Sequence, residues 1–411
     1  MNDKYLVING GSSSLKFSLY AMPEKEEIVN GIVEKIGLDG SSYTLKFNGK
    51  KLEEKVPVAN HTEAVSIMLD ALQKNHFIKD ISEIKGVGHR VLHGGEIYSD
   101  SALIDDETLN NIRVLTKLGP IHHPGEIAGI VSMQELLPGV PQVAVFDTAF
   151  HQTIPEENYR YAVPKEWYTE NGVRKYGFHG TSHKYITQTM QKFFKKDDIN
   201  LIVCHIGSGA SICCVKDGKS YDTTMGLTPL AGLVMGSRSG DIDPSIIEYI
   251  AHERNLTVEE VNTQLNSNSG LRGVGGASDF RDLEALAAAG NEDAKLAIKM
   301  FEDSIVDFIG KYYFKLKGNV DAIVFTAGIG ENSYGLREKI VEDISDTIGL
   351  TLDKDSNNNI ARFLSHQSGV ITTADSKVNV FVIPTDEESV ILDDTIRLSK
   401  VQEENKVLEK K

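Results

Sequence analysis

The feature that most constrains this chain is a pattern that occurs twice. Residues 5–20 read as an apolar strand, a Gly/Ser turn and an alternating strand, and residues 201–215 repeat that order around Gly207-Ser208-Gly209. Apolar runs joined by a short glycine-rich turn predict β-hairpins. The copies stand nearly half of the 411-residue chain apart, too far for a solenoid period. The repeat therefore predicts two similar domains, each opening on a hairpin whose tip presents backbone N–H groups. Helical periodicity over residues 63–74, 282–289, 293–312 and 336–345 alternates with strand-like runs at 143–146, 322–325 and 378–383. That alternation places both domains in the α/β class. No linker rich in Pro or Ser separates the halves, which predicts close packing around a cleft. The charged tail from Lys400 to Lys411 reads as a helix end or a frayed terminus.

Charge narrows the range of partners. A formal net charge of −16 opposes binding to nucleic-acid phosphates and anionic lipid surfaces, so an anionic ligand needs a local basic site. The three cysteines, Cys204, Cys213 and Cys214, crowd one apolar stretch and read as buried thiols rather than a disulfide framework. With no secretory leader pattern and no apolar run of membrane-spanning length, the reading is a cytoplasmic protein.

The chemistry-bearing segments fit neither of the common nucleotide fingerprints. Cys213 stands where GxxxxGK[ST] needs its first glycine, GxGxxG is absent, and so is HExxH. Three short Gly-rich segments at strand ends remain, at residues 9–14, 205–211 and 326–332. Backbone N–H groups in such segments cradle phosphate oxygens, and three of them argue for a polyphosphate ligand. Arg90 and Arg238 lie in Gly-flanked loops suited to a bidentate grip on carboxylate or phosphate. His179 and His183 have the i, i+4 spacing of metal ligands, but Gly180 and the lack of a third nearby ligand favour a lone loop histidine donating to developing negative charge. Asp147 follows a strand, a position shared by catalytic acids and plain helix caps.

Six segments together closely resemble the acetate kinase family: Asn9-Gly-Gly-Ser-Ser-Ser-Leu-Lys16, His89-Arg-Val-Leu-His-Gly-Gly95, Phe146-Asp-Thr-Ala-Phe-His151, Tyr176-Gly-Phe-His-Gly-Thr-Ser-His183, Gly236-Ser-Arg-Ser-Gly-Asp-Ile-Asp-Pro244 and Gly328-Ile-Gly-Glu-Asn332. The resemblance runs from about Tyr5 to about Glu388, in the family's order and spacing. It implies an α/β fold of two duplicated domains of the sugar kinase, Hsp70 and actin type around a nucleotide cleft. The domains would be residues 1–149, with a C-terminal helix from about 386 to 411 packing back on them, and 150–385, which would bind the nucleotide. It also implies a homodimer and a reversible transfer of the ATP γ-phosphoryl group to acetate by direct in-line displacement. Mg²⁺, or Mn²⁺ in its place, would be the ion, with ATP and ADP as co-substrates.

Carried over by motif, the catalytic residues would be Asp147, His179, Arg238 and Arg90. Arg90 would also bind the substrate carboxylate, with Leu92, Ile121, Phe178 and Pro229 around its methyl group. ATP would meet Lys16, Ser12, Ser14, His205, Ile206, Gly207, Ser208, Gly209, Asp279, Phe280, Arg281, Gly328, Ile329, Gly330, Glu331 and Asn332. Phe280 would stack on adenine and Asp279 and Arg281 would hold the ribose. Asn9 and a carboxylate of Thr385-Asp-Glu-Glu388, taken as Glu387, would hold the metal. A carboxylate nucleophile is already ionised at pH 7, so Asp147 reads as an orienting group rather than a proton acceptor.

Departures from the family's usual residues fall at Ser208 (usually Asn), Arg272 and Gly275 (Leu and Ser), Asp386 (Asn) and the run from His123 to Glu126, which is usually rich in Asn and Pro. They direct attention to the nucleotide side and one neighbouring loop. Two alternatives stand beside acetate: a kinase for propionate or another short acid, and a catalytically silent nucleotide-dependent regulator. The second is disfavoured because Arg90, Arg238, His179 and Asp147 are all present.

Overall fold

The computed structural model describes residues 3–360 and 369–408. The chain divides into two compact units, Met1–Ala149 with Asp386–Lys411, and Phe150–Thr385.

The first unit is built on an eight-stranded mixed sheet. Its strands are β1 (Lys4–Gly10), β2 (Ser14–Ala21), β3 (Glu26–Glu34), β4 (Ser42–Phe47), β5 (Lys50–Lys55), β6 (Ile84–Val91), β7 (Ala102–Leu103) and β8 (Gln142–Phe146). Their spatial order is β5-β4-β3-β2-β1-β6-β8-β7. The expected hairpin is present: β1 and β2 pair antiparallel, with Asn9 opposite Lys16. β1 then pairs parallel with β6, and β6 with β8.

The apolar run of β1 has no polar alternation because both faces of this sheet are covered. Leu6 and Ile8 point into a core with Val65, Met68 and Leu72 of helix α1 (His61–Lys74), capped by the Asn60 side chain on Glu63 N–H. Tyr5 and Val7 point the other way, against Ile391, Leu392 and Ile396 of the C-terminal helix Glu387–Leu408. A short helix α2 (Asp106–Val114) and helix α3 (His123–Leu136) complete the unit. The tail read from sequence as a helix end is helical as far as Leu408, and residues 409–411 lie outside the described residues.

Two glycines set how near the C-terminal helix comes. A Cβ on Gly88 would stand 2.2 Å from Thr395 Oγ1 and 2.7 Å from Ile391 Cγ2, and one on Gly86 would stand 2.5 Å from Ser399 Oγ. The i, i+2 pair lies on one face of β6, so the helix rests on bare backbone there.

The second unit repeats the plan. β9 (Leu201–Ile206), β10 (Ala210–Lys216), β11 (Lys219–Thr223), β12 (Ala322–Thr326), β13 (Gly369–Val370) and β14 (Asn379–Val382) form a sheet of order β11-β10-β9-β12-β14-β13. The run β3-β2-β1-β6-β8 of the first sheet corresponds to β11-β10-β9-β12-β14 of the second, so the duplication read from two turns extends over five strands. Ile186 and Met190 of helix Gly180–Phe194 pack on Leu201, Val203 and Val324. The long helix Glu292–Lys315 packs on β9 and β10 and buries Ala294, Ala297, Phe301, Ile305, Ile309 and Tyr312 at helical spacing. All three cysteines are free and buried in β9 and β10, and burial pushes the Cys214 thiol up to about 12. Among the described residues no helix is long and apolar enough to cross a membrane.

The third Gly-rich segment departs from expectation. Instead of an open loop, Ala327–Asn332 forms a short helix directly after β12. The fully buried Arg337 explains this: its Nη1 donates to the carbonyls of Gly330 and Glu331, both at 2.9 Å, closing the end of that turn.

Substituting Gly88→Ala should destabilise the protein by about 1–3 kcal/mol, because the added methyl must displace Thr395 and Ile391. Gly310→Ala, in the long helix with nothing within 4 Å of the added methyl, should stabilise by about 0.5–1 kcal/mol. Urea unfolding midpoints of the two variants should move in opposite directions.

Candidate active site

In the first unit the site grows from the ends of two adjacent parallel strands. Arg90 lies in β6, and Asp147 follows β8 and is held by its N–H to the Val91 carbonyl at 3.0 Å. Asp147 is fully buried. Arg90 Nε donates to its two carboxylate oxygens at 3.0 and 3.1 Å, and Nη2 reaches Oδ2 at 2.6 Å. This fork uses one edge of the guanidinium and leaves Nη1 available to a ligand. Asp147 holds the Arg90 pKa even above its ordinary value, so the cation is permanent.

Arg90 lines a cavity of about 630 Å³ with Asn9, Lys16 and Glu387. The Glu387 carboxyl is pushed up to about 7 by burial, with Asp147 and Glu388 adding to the rise and Arg90 opposing it. Asn9 and Glu387 therefore place two hard oxygen donors on the wall of one cavity. That suits Mg²⁺, which takes one or two protein oxygens and keeps water and phosphate for the rest. Ser12 is exposed on the turn between β1 and β2, and Ser14, which opens β2, accepts the Gly11 N–H through its carbonyl at 2.7 Å.

In the second unit three segments converge on the turn between β9 and β10. A Cβ on Gly209 would lie 3.4 Å from Arg238 Nη1 and 3.6 Å from His179 Nε2, so both basic groups face this glycine. His179 precedes helix Gly180–Phe194 at a φ of 57°. Its Nδ1 bonds Ser211 Oγ at 2.9 Å and its ring stacks on His205 at 4.1 Å. His205 Nδ1 bonds Ser182 Oγ at 2.8 Å. The i, i+4 partner His183 turns Nε2 to the same Ser211 hydroxyl at 2.8 Å, so the pair grips a serine rather than a metal. Arg238 donates to the Pro229 carbonyl at 3.1 Å, a neutral acceptor that leaves its charge for an anion. Burial works against that charge and lowers its pKa.

A second cavity, of about 620 Å³, is lined by Gly207, Ser208, Asp279, Phe280, Arg281, Gly328, Ile329 and Asn332 among others. Eight residues from three separated segments, all expected on the nucleotide, thus line one cavity. Arg281 forks onto Asp279 with Nε at 3.0 Å and Nη2 at 2.6 Å. Phe280 lines the cavity but is only 4 % exposed, and its ring packs on Phe301. Ile206 is fully buried, which limits it to backbone contacts, and Gly330 is also buried. Glu331 turns inward, its Oε1 accepting Thr385 N–H at 3.0 Å.

Of the acyl-pocket residues, Leu92 and Phe178 are buried, at 8 % and 1 % exposure. Ile121 is 74 % exposed, so packing gives its expected place beside the methyl group no support. The turn Gly119–His123 carries it outward while His123 takes the inward position. Gly275 also has a packing role, since a Cβ there would lie 2.6 Å from Leu283 Cδ1 and 2.8 Å from Ala297 Cβ. Sequence reading missed Ser182 and Ser211, which orient the histidines, and Ser278, Glu284 and Ser333, which also line the second cavity. Serines carry no spacing signal that separates such a role from an ordinary strand or turn position.

The chain is similar to known proteins over nearly its whole length. The acetate kinase of Finegoldia magna is 47% identical over 97% of this chain and 100% of its own length. That of Geobacillus sp. is 48% identical over 97% and 99%. Among solved structures, Porphyromonas gingivalis acetate kinase matches with a TM-score of 0.91 and 41% identity over 96% of this chain and 99% of its own. A propionate kinase from Francisella tularensis matches with a TM-score of 0.90 and 40% identity over 96% and 100%. The sequence profile of the acetokinase family covers residues 4–393, and the chain belongs to that family.

Proposed function

We propose that this protein transfers the γ-phosphoryl group of ATP reversibly to acetate, giving acetyl phosphate and ADP. The observation that carries this reading is the Arg90–Asp147 fork, a permanently charged guanidinium with one edge fixed and the other open beside two hard oxygen donors. A carboxylate oxygen of acetate forms the new bond to phosphorus as the bond to the ADP oxygen breaks. The nucleophile needs no base, because carboxyl groups with pKa values of about 4 to 5 are ionised at neutral pH. Asp147, whose oxygens are spent on Arg90, orients that arginine.

Arg238 and His179, directed at Gly209, stabilise charge on the transferring group, and the residues 207–209 turn holds phosphate oxygens through backbone N–H groups. Asp279, Arg281 and the residues 328–332 turn form the nucleotide wall. Asn9 and Glu387 would hold Mg²⁺, which would supply charge neutralisation at the phosphates. A homodimer in the cytoplasm completes the proposal, and three free buried thiols suit that compartment.

Incubation with ATP, Mg²⁺ and acetate, trapped by hydroxylamine, should yield acetyl hydroxamate; its absence would overturn the reading. Arg90→Ala and Arg238→Ala should each lower turnover about 10²- to 10³-fold with the fold retained by circular dichroism.

Leu92 is bulkier than the Val usual in the family at that place, which should hold preference for acetate over propionate to at least about tenfold. Leu92→Ala should narrow or invert the ratio of kcat/KM for the two acids, and an unchanged ratio would show that this side chain does not set substrate size.

Ser208, in the second cavity's wall, has one donor where Asn would have two and a carbonyl. Ser208→Asn should therefore lower the KM for ATP with little change for acetate, as measured by initial rates.

A further inference from the structure

One of the departures from the family pattern, the run from His123 to Glu126, buries its histidine and its glutamate beside Leu92 of the first unit. His123 is fully buried as the first residue of α3, and Glu126, one turn on, is 6 % exposed. Glu126 Oε1 accepts the Leu92 N–H at 3.1 Å. Its Oε2 is buried without a hydrogen-bond partner and faces His123 Nε2 at 3.9 Å. The histidine's tautomer follows from its other nitrogen: Nδ1 lies 3.0 Å from the Ile112 carbonyl, so it carries the proton, and Nε2 presents a lone pair. Nε2 is itself unpartnered. At that separation two buried acceptors repel each other, and a proton on the carboxyl relieves the repulsion.

We propose that Glu126 is a positioning residue that acts as a neutral carboxylic acid, accepting the Leu92 amide with one oxygen and offering the proton of the other to His123, thereby tying the end of β6 to the start of α3. This rests on the acyl-kinase reading above, since the chain it ties carries Arg90 and Leu92.

The surrounding charges agree. Arg90 from β6 and Asp147 from the end of β8 act on the Glu126 carboxyl directly, and His123 faces it from the first turn of α3; His93 and His122 act on His123, and Glu387 of the C-terminal helix acts on Arg90. Burial first, and then Asp147, push the Glu126 carboxyl up to about 8, with the Leu92 amide and Arg90 opposing. His93 and His123 are depressed chiefly by burial, so neither supplies a cation. The acid therefore keeps its proton below about pH 8. Above that, a second negative charge appears beside Asp147 and repels an incoming carboxylate.

Glu126→Gln separates the proton from the shape, because the amide keeps a carbonyl for Leu92 and an N–H for His123 but cannot ionise. In the wild type the KM for acetate should rise about tenfold between pH 7 and 9.5, while in Glu126→Gln it should stay flat; the KM for ATP should follow one profile in both. Glu126→Leu, which removes the Leu92 bond and the polar contact with His123, should raise the acetate KM about tenfold at pH 7 and leave the ATP KM within about twofold. Identical acetate profiles for wild type and Glu126→Gln would overturn the proposal, as would a Glu126→Leu variant with unchanged acetate KM or with both KM values raised alike.

A second measurement does not depend on turnover. With ¹⁵N-leucine labelling, the Leu92 amide resonance should titrate near pH 8 in the wild type and not in Glu126→Gln. A wild-type resonance that is static above pH 6 refutes the proton assignment even if acetate proves not to be the substrate. Loss of acetyl hydroxamate in the wild type would instead refute the functional reading.

Discussion

The first unit's site depends on one ion pair. Asp147 is fully removed from water, and an unpaired carboxylate in that position would be unstable by several kcal/mol. Arg90 compensates through three hydrogen bonds along a fixed edge, from a neighbouring strand whose register the parallel pairing sets. The consequences spread outward. Asp147 raises the carboxyls of Glu126 and Glu387, Arg90 opposes both rises, and the open edge of Arg90 is aimed by a partner that does not itself need to react. A single buried pair thus modulates two other acids whose rise burial chiefly causes, and fixes the direction of one cation.

In the second unit hydroxyl groups and a backbone carbonyl hold the basic side chains. His179 and His205 stack and are each held by a serine hydroxyl, and Arg238 leans on a backbone carbonyl. The carbonyl partner of Arg238 leaves its positive charge beside the turn at Gly209, a local basic group in a strongly acidic chain. A notional Cβ on Gly236 would stand 2.9 Å from the Ser278 carbonyl, which excludes a side chain there. The same strand order in both units means that this chemistry was built on one duplicated frame, with acid-bearing strand ends in one copy and histidine-bearing ones in the other.

Much of this was legible in the amino-acid sequence. The two hairpins, the α/β class, the four helices called from periodicity and the buried state of the cysteines follow from local pattern, because strand and helix periods are read over a few residues and both hairpins have short Gly/Ser turns. The family, too, is carried by short motifs whose glycines and charged residues have few substitutes. Less legible was whatever depends on which way a side chain turns. The short helix at residues 327–332 looked like a loop, because its closure by Arg337 is supplied from outside the motif. Nor did its motif show that the Phe280 ring packs on Phe301.

By itself, the sequence determined the duplicated frame, the acetokinase kinship and the identity of the charged groups, since these are properties of local pattern and composition. Tertiary structure alone decided that Asp147 is spent on Arg90, that His179 and His183 share a serine, that Ile121 faces outward while His123 faces in, and that Glu126 is a buried acid beside an imidazole lone pair. The physical reason is the same in each case. Hydrogen-bond partners and protonation states depend on distance and burial among residues far apart in the chain, and neither quantity is written in the order of residues along it.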